Sequence, residues 1–449
     1  MMRAAGGFLV GAVCLVGAAS VRAEALEDVL AHVYLTSPRL EAGRAGLRAV
    51  DESVARARAA GRPFLTATSS FAGELAGSDG AGLASQRQSL SLTQSLYSGG
   101  ETRAAIARAE NSVRAERARV QGLEQEVLLD AVAAYVAVAQ AQALLDLARG
   151  NEERLRLQLD ATRDRERFGD VTRTDIAQAR TRFARAVAGR LTAEGDLKTA
   201  MADYRRIVGE EPPASLSLPP PVEGLPASAE EAQALAQDNW AYQAAVFEVE
   251  AAHDDVAVAE AGLKPRLSLT GALSYAEDAG TGGDPRSGAV IGATLAVPLY
   301  QGGGEHARVR QSKELLVQRR HGRDDALRAA EATITAAWEA LQTALAVIRS
   351  LQTQVDAAEF ALEGVRQEAL VGARAVLDVL DAEQELYQAQ TDLVRAEATR
   401  VLASYRLRAA IGRLTARDLK LPVAFQDLEA HYREVGARWW GLGEDVGGD

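Results

Sequence analysis

Two aspartates one helical turn apart are the residues best suited to do chemistry in this chain. Asp378 and Asp381 follow Gly372 closely and are three positions apart, which on a helix places both carboxylates on one face. Neighbouring carboxylates attract cations and raise each other's pKa through like-charge repulsion. Acids in a first helical turn are also favoured by the helix dipole. The pattern therefore predicts either a cation-attracting site or an ordinary helix N-terminus.

A second group of candidates lies at similar turns. Asp175 follows Thr172-Arg173-Thr174, and Arg374 stands two positions after Gly372. A threonine followed three residues later by an acid is an acceptable capping box, so Asp175 could serve only to start a helix. Gly169 and Gly372 mark the turns that precede these charged residues.

Other reactive side chains are scarce or scattered. The only cysteine, Cys14, lies near the N-terminus, and Gly302-Gly303-Gly304 lacks the ending of a phosphate-binding loop. With 62 acidic and 50 basic residues, the formal net charge of −12 argues against nucleic acid as a partner. We expect no metal, no cofactor and no enzymatic activity. The five histidines have no ligand-like neighbour at helical spacing: His32, His253, His306, His321 and His431.

The N-terminus has the layout of an export signal. Arg3 precedes an apolar run from Phe8 to Ala19, and Val21-Arg22-Ala23 resembles a cleavage site. We predict that residues 1–23 are a signal peptide, whose removal also removes Cys14. No later stretch approaches the roughly 20 apolar residues of a spanning helix. Such a chain could be periplasmic, secreted or an outer-membrane β-protein.

The mature chain consists of two similar halves. Leu96–Gly100 recurs as Leu299–Gly303, and the same displacement relates Gly169 to Gly372. A displacement kept without gaps indicates two copies of one structural unit. The predicted divisions are a first repeat at 24–211, a proline-rich linker at 212–228, a second repeat at 229–412 and a C-terminal tail at 413–449.

Each repeat contains a segment in which apolar and polar residues alternate. Leu90, Leu92 and Leu96 alternate with serine and threonine, and the second repeat has the same pattern near Leu267. Such segments, joined by polar turns like the one at 77–82, are typical of membrane β-strands, although a hairpin on a soluble domain looks the same. We predict β-hairpins at 63–98 and 265–301. Each ends in a glycine pair that turns the strand into a helix, Gly99-Gly100 or Gly302-Gly303.

Two long proline-free segments predict the largest elements. They extend from Glu101 to Arg167 and from Glu305 to Val371, and each would be about 100 Å long as a helix. In the second segment, apolar residues recur at intervals of three and four from Leu327 to Ala369, which is a coiled-coil period. A glycine turn and a return helix follow each segment, so we predict α-hairpins at 101–209 and 305–412. The predicted fold is mainly α with a small membrane β part.

Four strands per chain have a consequence for assembly. Four strands cannot close a barrel, and open sheet edges are not tolerated in lipid. Two chains would supply eight strands and three chains twelve, so the sequence predicts self-association and leaves the number of copies open. In a trimer, Asp378 and Asp381 would supply six carboxylates, which would favour cations if they lined a common path.

The repeats resemble the TolC family of outer-membrane efflux and secretion channels over almost all of the mature chain. Leu299–Gly303, the segment Gly372–Ala382 and the gap-free duplication carry the resemblance. It implies a homotrimer with a twelve-stranded β-barrel on an α-helical tunnel, in the cell outer membrane with a long periplasmic extension. The implied partners are outer-membrane lipid, a periplasmic adaptor protein and an inner-membrane transporter of the ABC or RND type. Gly169 and Gly372 would mark the tips that dock onto the adaptor.

The resemblance also implies roles for the charged candidates. Asp378 and Asp381 match the periplasmic constriction of the family. Asp175 and Arg374 match positions that help to hold the tunnel closed. The chain departs from the family at Ala369, where the best-known gate has a tyrosine, so one gate link is absent or replaced.

The expected function is an outer-membrane export duct of a tripartite type I secretion or efflux system. The tail from Glu429 to Gly441, with Trp439 and Trp440, is more similar to the type I secretion branch. The alternative is a periplasmic coiled-coil adaptor or structural protein of an export complex, which predicts one α-hairpin and usually a membrane or lipid anchor. Two equivalent hairpins, and the poor lipoprotein signal before Cys14, disfavour that alternative.

Overall fold

The computed structural model of the chain describes residues 26–73, 84–169, 171–278 and 284–442. The predicted signal peptide at 1–23 and the predicted turn at 77–82 lie outside the described residues, as do Cys14 and the end of the tail. In chain order, the elements of the described part are α1 (Leu26–Thr36), α2 (Pro38–Ala59), β1 (Phe64–Gly73), β2 (Ala84–Tyr97), α3 (Glu101–Arg167), α4 (Arg173–Val208), α5 (Ala229–Ala234), α6 (Trp240–Ala261), β3 (Arg266–Asp278), β4 (Arg286–Ala296), α7 (Gly304–Leu370), α8 (Val376–Ala410) and α9 (Ala430–Ala437).

The two longest helices form the framework of the fold. α3 begins and ends at the predicted residues, and α7 lies one residue earlier than predicted at both ends. α3 packs against α4, and α7 packs against α8, so two α-hairpins result. The helices stay unbroken because they contain no proline and are rich in alanine, arginine and glutamate, which favour helix. The prediction of two long helices with return helices is confirmed.

A coiled-coil seam holds the hairpin of the second repeat. Ala330, Ile334, Leu341, Ala344 and Ile348 are buried on α7, and all five belong to the predicted pattern of intervals. Small alanines between larger aliphatic side chains allow the helices to approach closely. Most other side chains of α7 are exposed. One face of this helix is therefore left uncovered by the described part of the chain.

The four strands form one antiparallel sheet in the order β1-β2-β3-β4. The hairpins of the two repeats join through β2 and β3, where Ser89 pairs with Ser274. Nearly every residue of β4 is exposed. β1 and β4 are the edges of the sheet, and edge strands present backbone groups that can pair with a further strand. The predicted strands are confirmed, and the sheet of a single chain is open.

The main hydrophobic core lies where α1, α3, α4 and the C-terminal tail meet. Leu128, Tyr204 and Leu414 are at most 1% exposed there. Glu124 of α3 fastens the tail, because its carboxylate accepts a hydrogen bond of 2.7 Å from the backbone N–H of Ala416. Burial raises the pKa of the Glu124 carboxyl above its usual value. The tail is thus part of the packed structure.

One stretch of α3 is long and apolar enough, by composition, to cross a membrane. The expectation that no later segment is so apolar is therefore wrong. Of this stretch, 56% is buried inside the protein, and α3 packs against α1, α2, α4, α6 and α8. A helix surrounded by other helices is apolar because it supplies the core. We assign the stretch to that role.

Candidate functional site

Glycine turns close the far ends of both α-hairpins. The chain turns between α3 and α4 at Gly169, with φ 82°, and between α7 and α8 at Gly372, with φ 78°. Glycine adopts these left-handed conformations without the strain that a Cβ would cause. Phe168 and Val371, which precede the two glycines, are exposed. The tips therefore present apolar side chains to their surroundings.

The structure places Asp378 and Asp381 in the first turns of α8, directly after the tip. The Asp378 carboxylate accepts a hydrogen bond of 3.3 Å from the backbone N–H of Ala375, and Arg374 Nη1 lies 3.9 Å from it. The Asp381 carboxylate pairs with Arg182 of α4. The two acids are one turn apart but have different partners, since Asp378 caps its own helix and Asp381 reaches the other hairpin.

Asp175 and Arg374 form no ion pair with each other in the described part of the chain. The Asp175 carboxylate accepts hydrogen bonds of 2.8 Å from the backbone N–H and from the hydroxyl of Thr172, whose hydroxyl accepts one of 3.3 Å from the Asp175 N–H. These hydrogen bonds lower the pKa of Asp175. Arg374 Nε donates to Glu368 at 2.7 Å. Within one chain, Asp175 caps the start of α4, and Arg374 pairs with groups at the end of α7 and the start of α8.

The two hairpins are joined near their tips by residues that the sequence patterns did not single out. Leu380 of α8 is 2% exposed and packs in a small apolar cluster with Leu155 and Leu159 of α3. Arg182 of α4 adds the ion pair with Asp381. These two charged residues are 199 positions apart, so no local spacing could reveal their contact.

Each hairpin is also fastened internally close to this contact. Arg366 of α7 donates to the carboxylate of Glu383 of α8 at 2.8 Å, and Glu383 is 7% exposed. In the other hairpin, Arg190 of α4 pairs with Glu152 of α3. A buried carboxylate that loses its partner is strongly destabilising, so the pair with Glu383 holds α7 to α8. We expect each hairpin to move as a unit.

At the ends opposite the tips, the long helices α3 and α7 start directly after the predicted glycine pairs. Gly100 and Gly303 are the N-cap residues of α3 and α7, with φ values of 92° and 81°. A Cβ on Gly99 would lie 2.8 Å from the carbonyl oxygen of Ala261 at the end of α6. A Cβ on the equivalent Gly302 would meet nothing within 4 Å. The first strand-to-helix turn is packed against its own chain, and the second is open.

The charged groups at the tips suit electrostatic roles. Among the residues that the structure describes, no group of three or more His, Cys, Asp or Glu side chains is arranged to hold a metal ion. The tip carboxylates are engaged by arginines or by backbone N–H groups. Such groups can attract a cation or hold two helices together through charge.

Comparisons with known proteins agree with this geometry. The family model for outer membrane efflux proteins matches residues 30–210 and 232–413, one match in each repeat. The outer membrane efflux protein BepC of Brucella suis biovar 1 (strain 1330) is 36% identical over 441 residues, which cover 97% of this chain and 95% of that protein. The outer membrane protein TolC of Escherichia coli (strain K12) is 26% identical over 421 residues, covering 89% and 84%. The structure of the outer membrane protein VceC of Vibrio cholerae gives a TM-score of 0.76 at 20% identity, covering 86% of this chain and 96% of that one.

Two long α-hairpins carried by an antiparallel sheet, with matches to this family in both repeats, define the class of outer-membrane export channels. The chain belongs to the outer membrane efflux protein family. It is a transport protein of the outer membrane with a helical periplasmic part, and it is not an enzyme. The export duct is favoured over the alternative of a periplasmic adaptor.

Proposed function

We propose that three copies of this chain form a closed barrel of twelve strands above an α-helical tunnel. The observation that carries the proposal is the open sheet, whose edges β1 and β4 are unpaired within the chain. Unpaired edges are not tolerated in lipid, so β4 of one copy pairs with β1 of the next. Two copies would give eight strands, and the interior of such a barrel is filled by side chains or one small ligand. Three copies leave room for an export path.

The internal repeat indicates which helices meet between copies. In the chain, α2 packs against α3 as α6 packs against α7, and α3 also packs against α6. In the repeat, α7 is the counterpart of α3 and α2 is the counterpart of α6. The contact between α3 and α6 therefore has an equivalent in which a surface of α7 packs against α2 of the next copy. This surface belongs to the exposed face of α7 and includes the open turn at Gly302, whose equivalent Gly99 approaches Ala261. Ala59 is the last residue of α2 as Ala261 is the last residue of α6, so by the same rule Gly302 approaches Ala59 of the next copy.

The tips of the tunnel form its gate in this assembly. Asp378 and Asp381 of the three copies constitute the periplasmic constriction, with Asp381 held by Arg182 in the closed state. Asp175 and Arg374 link neighbouring hairpins across the copies. The side chains of Asp175 and Arg374 are exposed, which supports this assignment because an ion pair between chains needs charged groups at the surface.

The tips around Gly169 and Gly372 dock onto a periplasmic adaptor protein, which connects the duct to an inner-membrane ABC or RND-type transporter. Their exposed apolar residues, Phe168 and Val371, support this contact. The complete system performs type I secretion or efflux. In the proposed division, 1–23 directs export, the repeats at 24–211 and 229–412 are joined by the linker at 212–228, and the tail at 413–449 stays in the periplasm.

The proposal is tested by reconstituting the purified mature protein in planar lipid bilayers. We expect an ion-conducting channel and a trimer mass by light scattering of the protein in detergent. A monomer that stays in the soluble periplasmic fraction and conducts no ions would favour the adaptor alternative.

Gly302→Ala is expected to shift the protein from trimer towards monomer, because the added Cβ would enter the interface with α2 of the next copy. Gly303→Ala is the matched control. Both glycines have positive φ values, 62° and 81°, and both are open within the chain. The equivalent of Gly303, Gly100, is also open, so no contact between copies is expected there. Equal trimer fractions for the two variants, measured by light scattering, would argue against the proposed interface.

A further inference from the structure

The C-terminal tail is held along α2 and α3, close to the start of the sheet. Arg58 of α2 donates to the carbonyl of Gly436 at 3.2 Å and pairs with Glu110 of α3. His431 Nδ1 lies 3.1 Å from a carboxylate oxygen of Asp51, which is fully buried in α2. These long-range contacts fix α9 beside α2. The residues that follow α9 therefore have a defined position in the fold.

The residues after α9 lie at the end of the sheet that adjoins the helices. Arg62, which precedes β1 by one proline, donates to the carbonyl of Arg438 at 3.4 Å. The Arg62 guanidinium also lies 4.5 Å from the ring centre of Trp439. Trp439 and Trp440 are nevertheless 71% and 91% exposed. Two large aromatic side chains thus lie in the open at the point where strand β1 begins.

The same end of the sheet carries other exposed apolar side chains. Phe64 begins β1, and Leu295 lies at the end of β4. Leu299 and Tyr300 follow shortly after β4, and all four residues are well exposed. The register places the start of β1, the end of β2, the start of β3 and the end of β4 at this level. The Trp439-Trp440 pair is therefore continuous with the apolar boundary of the sheet.

We propose that Trp439 and Trp440 insert into the headgroup region of the periplasm-facing phospholipid leaflet and anchor the tail at the base of the barrel. This inference rests on the proposed membrane-spanning barrel. Tryptophan is enriched at membrane–water boundaries because its ring is amphipathic. Arg62 and Arg438 lie beside the pair, and arginine near a boundary extends its charge towards headgroups. The tail of each copy thereby fixes the level at which its barrel meets the lipid.

Fluorescence quenching by brominated phospholipids tests the proposal. The chain has four tryptophans, and the other two, Trp240 and Trp338, lie on helices α6 and α7. Wild-type protein and the variant Trp439→Phe with Trp440→Phe are reconstituted in vesicles of phosphatidylcholine brominated either near the headgroup or near the chain end. Because both tail side chains are exposed, the double substitution leaves the core intact.

We expect wild-type fluorescence to be quenched more by bromine near the headgroup, and this quenching to be lost in the double variant. Equal quenching of the two proteins would overturn the proposal. Blue-shifted tail emission that bromine does not quench would place the pair against a second copy of the chain, which also overturns it. Ion conductance is recorded from the same vesicles. Conducting vesicles without tail quenching would refute the anchor alone, whereas vesicles that do not conduct would count against the proposed channel.

Discussion

Replacement of Asp378 and Asp381 together by asparagine is expected to reduce the cation preference of the channel several-fold. In water, a carboxylate about 4 Å from a cation contributes roughly 1 kcal/mol, which is about a fivefold local enrichment. Three copies would place six carboxylates around one path, so their combined effect exceeds that of a single group. The measurement is the reversal potential of the channel under a salt gradient in planar bilayers.

The single variants should differ, because the two acids have different partners. Within the chain, the Asp381 carboxylate is paired with Arg182, whereas Asp378 is bonded mainly to its own helix N-terminus. Asp378→Asn should therefore have the larger effect on basal selectivity. Asp196→Asn is the control, since Asp196 is exposed on α4 and has no ion pair in the described part of the chain. Unchanged selectivity in the double variant would leave both acids with the role of starting α8.

Loss of the Arg182 side-chain charge, in Arg182→Gln, is expected to raise the basal conductance of the channel. The ion pair with Asp381 joins the first hairpin to the second near the tip. The pair is partly exposed, and a solvent-accessible pair contributes roughly 0–1 kcal/mol, so three copies contribute up to about 3 kcal/mol to one gate. At about 1.4 kcal/mol for each factor of ten, the ratio of open to closed channels rises by at most about a hundredfold. The measurement is the mean current of single trimers at fixed voltage.

A charge reversal separates the ion pair from other effects at this position. Arg182→Asp combined with Asp381→Arg restores an attractive pair, so its conductance should return towards that of the wild type. Arg185→Gln is the matched control, because Arg185 is exposed on α4 and has no ion pair in the described residues. Wild-type conductance in Arg182→Gln would show that the apolar cluster around Leu380 holds the hairpins without help from the charges.

The same recordings address the second proposed link of the gate. Within the chain, Asp175 and Arg374 are engaged by Thr172 and Glu368. If they also pair between copies, Arg374→Ser and Asp175→Ala should raise the basal conductance, and their combination should exceed the stronger single variant only slightly. Fully additive effects would show that the two residues act separately.

Local patterns in the sequence were sufficient for the long helices, the strands and the turns between them. The absence of proline and the intervals of three and four predicted α7 to within one residue, because helix depends on backbone propensity and on a repeating apolar face. The alternation of apolar and polar residues predicted the strands. The two glycine pairs predicted the strand-to-helix turns, because these turns need positive φ values that glycine adopts without strain. The capping box of Thr172 and Asp175 was also predicted correctly, because its partners are three positions apart in the sequence.

Tertiary structure alone decided which distant charges meet. It paired Asp381 with Arg182, buried the apolar stretch of α3 among other helices and placed Trp439 beside Arg62 at the start of β1. Local spacing carries no signal for such contacts, because they depend on how whole hairpins and the tail pack against one another. Asp378 and Asp381 illustrate this limit. Their spacing placed both carboxylates on one face of α8. Only the packing of the other hairpin against α8 decided that Asp381 pairs with Arg182 while Asp378 caps its own helix.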